Sequence, residues 1–328
     1  MKTRTKKIII IAAAALIVLI LAALVVTGNM LVNFALARGA MDNQDVDVMP
    51  ESTLSAAEQQ SIQESWQIQI AQAEKWLEAS KVEPVQIISD DGLRLCASMI
   101  ITDENSHKWL IAAHGYGGNR MQLMPMASHY GLRGYNALMP DLRAYGESEG
   151  KYIGMGWLDR KDMLLWIELV LQKDPQAQIV LHGISMGGAT VMMTAGEKLP
   201  ENVKAIVEDC GYTSVWDIFK DELKYLFKLP AFPVLNVSSG ISDLRVGYNF
   251  KEASAIRQVK KAQVPIMFIH GSEDNFVRTS MVYELYDACP TEKELLIVEG
   301  AGHGNSHGYK TEEYFTAVFA FLDKYMEG

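Results

Sequence analysis

After Pro84 the sequence breaks into short apolar runs at regular spacing, most of them separated by segments with helical character, and few folds accommodate that alternation. Residues 85–89 and 93–101 flank Asp90-Asp91-Gly92, a turn signal between two strands. Strand-like runs follow at 109–113, 135–139, 179–181, 205–207, 266–269 and 295–298, with helix-like segments such as 163–171, 279–288 and 312–325 among them. A hairpin followed by alternating strands and helices predicts an α/β domain with a mostly parallel sheet of about eight strands and helices on both faces.

One connection is too long for a plain loop. Residues 214–261 contain Leu229-Pro230-Ala231-Phe232-Pro233 and a mixed run at 236–247. Connections of that length in compact domains carry their own structure or act as lids. A small, partly helical cap over the carboxyl edge of the sheet is expected, with a solvent-exposed insertion as the alternative. Trp216, Phe219, Tyr225, Leu226, Phe227, Phe232 and Leu235 make this segment apolar. That fits an acyl group or other apolar moiety beneath the cap, or packing within the cap itself.

The stretch "LHGISMGGATVMM" places Ser185 between a β-branched apolar run and an uninterrupted helical start at Ala189. Gly183-Ile184-Ser185-Met186-Gly187 fits G-x-S-x-G. A nucleophilic hydroxyl projecting from so tight a corner needs residues without bulk two before and two after it. A Gly-rich turn with an incidental serine is the bland alternative, and the remaining motifs decide between them.

Those motifs fall in order at the ends of successive strand-like runs: "HGYGGNR", "DLRAYGESEG", "GISMGG", "HGSEDNFV" and "GAGHGNS". Together they give the chain from Val85 onward a resemblance to the α/β-hydrolase superfamily, within it the membrane-anchored or secreted serine hydrolases of bacteria. The superfamily orders its triad Ser, Asp or Glu, His along the chain. The resemblance therefore implies Ser185 as nucleophile, Asp274 as acid and His303 as base. It also implies an oxyanion hole from the backbone N–H groups of Tyr116 and Met186. Tyr145 departs from the family pattern, which often has histidine there.

Other residues compete for these roles. Glu208 and Asp209 end the sixth strand-like run, where some hydrolases keep the acid, but a polar pair there more often bonds its own loop. His114 reads as holding its loop by hydrogen bonding, and His182 and His270, which precede glycines at strand ends, read as structural. Asp141, Arg143 and Ser148 read as loop organisers, and His307 as a residue that either caps or packs the following helix or touches substrate. His303 and His307 are four apart on a Gly-rich loop rather than on a helix, so a metal site is disfavoured, and "HGYGGNR" lacks the lysine and hydroxyl of a phosphate loop. No cofactor and no metal are implied.

The amino terminus indicates a location. Lys2, Arg4, Lys6 and Lys7 precede an apolar run at 8–26, which as a helix rises about 28 Å and matches the hydrocarbon thickness of a bilayer. Only Arg38 follows closely, and this charge bias orients the amino terminus inward and the remainder outward. The reading is a basic cytoplasmic tail at 1–7, a signal-anchor at 8–27, a tether at 28–60 and the hydrolase domain at 61–328. Residues 42–58, acidic and polar, form the core of the tether. Secretion after cleavage near Ala37, in an A-x-A-like context, is the alternative.

Within 61–80, Ile62, Trp66, Ile70, Ala73 and Leu77 make one apolar helical stripe, read as a helix docked on the main domain. A helix lying on the membrane is the alternative, disfavoured by a polar face of Gln and Glu rather than Lys.

A formal net charge of −10 excludes nucleic acid as an expected partner. Cys96, Cys210 and Cys289 are widely spaced and form no C-x-x-C pair, so buried free thiols are expected, with one disulfide left open. The expected partners are the membrane and a small-molecule or lipid-like acyl substrate. The expected function is an exported, membrane-tethered serine hydrolase of carboxylic esters. A serine peptidase or acyltransferase on the same triad, and a catalytically silent binding protein on the same scaffold, are the alternatives.

Overall fold

The computed structural model describes residues 2–39 and 55–326. Its helices, in chain order, are α1 (Lys2–Leu36), α2 (Ala56–Ala79), α3 (Met124–Gly131), α4 (Asp159–Lys173), α5 (Met186–Ala195), α6 (Val215–Phe227), α7 (Val234–Val246), α8 (Ala255–Val259), α9 (Ser280–Ala288), α10 (Ser306–Tyr309) and α11 (Thr311–Leu322). The strands are β1 (Lys81–Ile88), β2 (Arg94–Ile101), β3 (Lys108–Ala113), β4 (Asn136–Pro140), β5 (Gln178–Ile184), β6 (Val203–Asp209), β7 (Ile266–Gly271) and β8 (Lys293–Val298).

All eight strands join one sheet in the order β1-β2-β4-β3-β5-β6-β7-β8. β1 and β2 form the antiparallel hairpin around Asp90-Asp91-Gly92, β2 runs antiparallel to β4, and every later pair is parallel. Burial follows position in the sheet. β4, β7 and all but the first residue of β5 are buried throughout, as expected for strands covered on both faces, whereas edge strand β1 alternates between exposed and half-buried residues. One face packs on α4, α5 and α9 through residues such as Trp166, Met192 and Val282. The other packs on α2, α3 and α11 through Trp76, Tyr130, Tyr314 and Phe319.

α2 starts at a capping box, in which Ser55 Oγ accepts from Glu58 N and Ser55 N donates to the Glu58 carboxylate at 2.8 Å. The helix docks on the domain, with the Trp76 indole donating to Thr102 Oγ1 at 2.9 Å and lying against Gly131, where a Cβ would stand 2.0 Å from it. One position of the stripe differs from expectation, while Ala73 is buried and Ile62, Trp66 and Leu77 are half-buried as expected. Ile70 is exposed and Gln69 is buried, with the Gln69 amide donating to the His307 carbonyl at 3.3 Å. One residue is about 100° of helix rotation, enough to exchange the two faces.

The long connection between β6 and β7 is the expected cap, built from α6, α7 and α8. The amino-terminal helix departs from expectation. Arg4–Leu36 is long and apolar enough to cross a membrane, and residues 4–23 are exposed on all sides. Residues 28–36, expected as the start of the tether, instead continue α1 and pack on the cap. Gly28, Val32 and Leu36 are buried at four-residue steps, the spacing of one helix face. A Cβ on Gly28 would stand 3.0 Å from Ile241 and 3.1 Å from Val237, so glycine permits the close approach to α7. Arg245 of α7 donates to Asn29, to Asn33 at 2.8 Å and to the Tyr152 hydroxyl at 2.6 Å. The helix is then tied to the domain where Ile153 N donates to Leu36 O at 2.8 Å and Arg38 N to Lys151 O at 2.9 Å. Most of the acidic stretch 42–58 lies outside the described residues.

Candidate active site

β5 ends at Ile184 and α5 begins at Met186, so Ser185 alone makes the corner. Its φ of 58° and ψ of −116° are unfavourable for a residue with a Cβ, and such a conformation costs about 1–3 kcal/mol. The neighbouring glycines explain how the corner closes. A Cβ on Gly183 would lie 2.0 Å from Gly187 O, and one on Gly187 would lie 1.9 Å from Ala113 O. Ser185 N donates to Asp209 O at 2.8 Å, which holds the corner to the end of β6.

The loops after β7 and β8 bring the other two residues to this corner. Ser185 Oγ lies 2.8 Å from His303 Nε2, and His303 Nδ1 lies 2.7 Å from Asp274 Oδ2. Asp274 Oδ1 accepts from Phe276 N at 3.0 Å and Val277 N at 2.9 Å, which fixes the carboxylate plane. Burial pushes the Asp274 carboxyl up, but the charges and hydrogen bonds of His303 and His270 outweigh it and hold it at about 2. The group is therefore an anion at neutral pH. Phe276 packs on the His303 ring at 4.9 Å.

The loop after β3 lies against the serine. A Cβ on Gly115 would stand 3.5 Å from Ser185 Cβ, and the cavity beside Ser185 includes both Tyr116 and Met186 in its walls. His114, next in sequence, is neutral because burial lowers it to about 4. It bridges two loops, with Nδ1 2.8 Å from Gly115 O and Nε2 accepting from Leu142 N at 3.0 Å. Tyr145, at the family's usual histidine position, accepts from Gly117 N at 3.2 Å and packs edge-on against His114 and Tyr116.

The competitors take other positions. Glu208 Oε2 accepts from Gly211 N at 3.0 Å and Asp209 Oδ1 from Ser306 Oγ at 3.4 Å, while burial pushes the two carboxyls up to about 8 and about 6. His182 lies between the hydroxyls of Tyr130 and Tyr314 at 2.8 and 3.0 Å. His307 is buried edge-on against Trp66 at 4.8 Å and is lowered by burial to about 4. Asp141 accepts from Arg120 N and Glu147 N at 2.9 Å, Ser148 Oγ donates to Asp141 O at 2.7 Å, and Arg143 grips Asp162 with two bonds of 2.8 Å. These last three organise their loop as expected.

Two features escaped the sequence reading. His270, expected to be structural, donates from Nε2 to Val277 O at 2.7 Å and lies 3.1 Å from Asp274 Oδ2, so it braces that carboxylate. Cys210, Asp274 and His303 also place ligand atoms within 4.8 Å of one another. Burial raises the Cys210 thiol well above its ordinary range, and the carboxylate and imidazole are already bonded to each other, so this is a poor donor set for a metal.

Beside Ser185 the cap closes over a narrow cavity of about 110 Å³. α6 contributes Ile218, Phe219, Leu223 and Leu226, α7 contributes Leu235, and α1 contributes Leu31, Phe34 and Ala35. Of the cap aromatics singled out in the sequence, Phe219 and Phe227 line the cavity, whereas Tyr225 and Phe232 are exposed. Among the described residues Glu222 is the one carboxylate in the wall. Its Oε2 is buried and has no hydrogen-bond partner among the described residues, and burial raises the carboxyl to about 8.

Sheet order, serine corner and cap together define an α/β hydrolase. The sequence matches the prolyl oligopeptidase family over residues 126–328, more than half its length, and the chain belongs to that family. It is 27% identical over 215 residues to the uncharacterized protein YqkD of Bacillus subtilis, covering 65% of this chain and 70% of that one. The esterase Pf2001 of Pyrococcus furiosus is similar in fold, with a TM-score of 0.62 and 24% identity over 76% of this chain and 92% of its own. The acylaminoacyl peptidase of Pyrococcus horikoshii has a TM-score of 0.58 and 20% identity, over 78% of this chain and 44% of its own.

Proposed function

We propose that this hydrolase is an exported, membrane-tethered carboxylesterase that works through Ser185, His303 and Asp274. The observation that carries the reading is the unbroken relay from Ser185 Oγ to His303 to Asp274 at 2.8 and 2.7 Å, beside an apolar cavity. His303 takes the serine proton as Oγ attacks the ester carbonyl, and the Asp274 anion stabilises the imidazolium. The N–H groups of Met186 and Tyr116 receive the developing oxyanion. Collapse breaks the C–O bond, His303 returns the proton to the departing alcohol, and water activated by the same histidine releases the acid.

The cavity favours an ester over a peptide. A peptide brings backbone N–H and C=O groups that need partners, whereas the wall is mostly apolar, and its Tyr116, Tyr212 and Ser238 hydroxyls already donate to backbone carbonyls. The family match favours the second reading, a serine peptidase. A panel of p-nitrophenyl esters of graded chain length, run beside aminoacyl amides, separates them. The esterase reading expects faster ester turnover, and preferred turnover of the amides assigns the peptidase.

For location, the basic residues before the apolar run support an amino terminus inside and a catalytic domain outside. The packing of α1 supports an uncleaved anchor. Cleavage after Ala37 would remove Val32 and Leu36, which are 1% and 0% exposed, from the core.

A further inference from the structure

The outer end of α1 does more than fix the domain to a membrane. Leu31, Phe34 and Ala35 share one helix face and line the same cavity as Ser185. The adjacent face, Gly28, Val32 and Leu36, is packed into the fold, so the lining face is held in place. Tyr116, beside the serine, donates from its hydroxyl to Ala35 O at 2.8 Å, which ties the helix end to the loop after β3.

Depth follows from helix geometry. Leu31 and Phe34 stand five and eight residues past Val26, the end of the apolar run, or about 8 and 12 Å along the axis. The headgroup layer extends about 5–8 Å beyond the hydrocarbon on each side. The Leu31 end of the cavity wall therefore lies at the top of the headgroup layer, with Phe34 about 4 Å above it. Phe227, which packs edge-on against Phe34 at 5.4 Å and is 40% exposed, continues the apolar surface from the cavity outward. Phe232, in the turn before α7, is 77% exposed. Exposed aromatic side chains beside a membrane helix suit the headgroup boundary.

We propose that the Leu31–Phe34–Ala35 face of α1 is a wall of the acyl pocket, and that the substrate is an ester whose acyl chain lies in the bilayer that holds α1. This rests on the esterase reading above. An acyl chain rising beside the helix meets Leu31, then Phe34 and its neighbour Phe227, before the serine, and this apolar surface shields it from water between lipid and pocket. The anchor then sets chain preference as well as location.

The test uses the full-length protein in phosphatidylethanolamine–phosphatidylglycerol vesicles, with kcat/KM measured for p-nitrophenyl decanoate and acetate. Leu31→Trp narrows the pocket and should lower the decanoate-to-acetate ratio about tenfold. Phe34→Ala widens it and should change the ratio in a chain-length-dependent way, with longer esters gaining on decanoate. Met30→Trp, on the 64% exposed side of the same helix, should leave the ratio unchanged. Fluorophosphonate labelling reports whether each variant keeps its reactive serine. Equal ratios for Leu31→Trp, Phe34→Ala and parent, with labelling intact, overturn the wall. A second arm supplies p-nitrophenyl palmitate in the enzyme's own vesicles or in separate vesicles. Faster turnover in the shared vesicles is expected, and equal rates show that the chain arrives through water and overturn the bilayer source. A parent protein that neither labels nor cleaves any ester overturns the hydrolase reading, and this proposal with it.

Discussion

Glu222 gives the cavity a pH dependence that can be worked out from its position. On α6 it falls within the stripe Ile218, Phe219, Leu223, Leu226 that faces the pocket, and its carboxyl is raised by burial to about 8. At about pH 7 roughly nine in ten molecules carry it neutral, and at about pH 9 roughly one in ten do. A neutral carboxyl tolerates an apolar chain beside it, whereas an anion must keep water that the chain would displace. If only the neutral form accepts the chain, kcat/KM for a long-chain ester falls about tenfold between those two pH values. Acetate, which does not reach Glu222, should fall much less. Glu222→Gln should match the parent near pH 7 and remove the excess long-chain loss at pH 9.

The same shift affects stability. A carboxyl raised above its ordinary 4.5 contributes stability that is fully present below about 4.5 and is lost as pH rises through about 8. Glu222→Gln should therefore raise Tm relative to the parent at pH 9 and change it little at pH 4. The assay is a matched pH series of p-nitrophenyl decanoate and acetate, corrected for spontaneous hydrolysis, together with thermal melts. An identical long-chain fall in Glu222→Gln would refute the assignment.

Three further outcomes are expected. His303→Ala should lower kcat by about 10⁴ or more, whereas His307→Ala should act mainly on stability, because His307 is buried against Trp66 and Tyr314; kcat and Tm for each variant check this, and a larger kcat loss at His307 would move the base there. Gly187→Ala should fail to keep the serine corner, since its Cβ would lie 1.9 Å from Ala113 O; near-parent ester turnover in soluble, folded protein would contradict the geometry. A protease added to intact cells should degrade the domain and leave the anchor in the membrane, and protection of the domain would reverse the orientation.

Much of this arrangement is legible in the sequence because its signals are local. Strands buried on both faces leave continuous β-branched runs, such as Ile179-Val180-Leu181, and the glycines around Ser185 are fixed by contacts within one corner. What was less legible depends on which face a helix presents. Residues 28–36 were expected to leave the membrane as a tether, although Gly28, Val32 and Leu36 carry a four-residue period. That period becomes informative only once α7 supplies the surface it packs on. Glu222 is likewise visible as one carboxylate in the apolar stripe of α6, but its burial depends on α1 and α7 closing the cavity. The role of His270 gave no sequence signal beyond its strand end, because the Asp274 carboxylate reaches it through a fold in the following loop. Gln69 takes the docked face of α2 in place of Ile70, and its amide donates to a carbonyl of α10, a contact that exists only once the two helices pack.

The proposed mechanism rests on Ser185, corner-strained and bonded to His303, as the nucleophile. The most direct measurement is fluorophosphonate labelling of the full-length protein, with the adduct mapped by peptide mass spectrometry in the parent and in Ser185→Ala. One adduct is expected, on Ser185, with labelling and ester turnover both abolished in the variant. An adduct on another residue, or a Ser185→Ala protein that still labels and turns over ester within about tenfold of the parent, would contradict it.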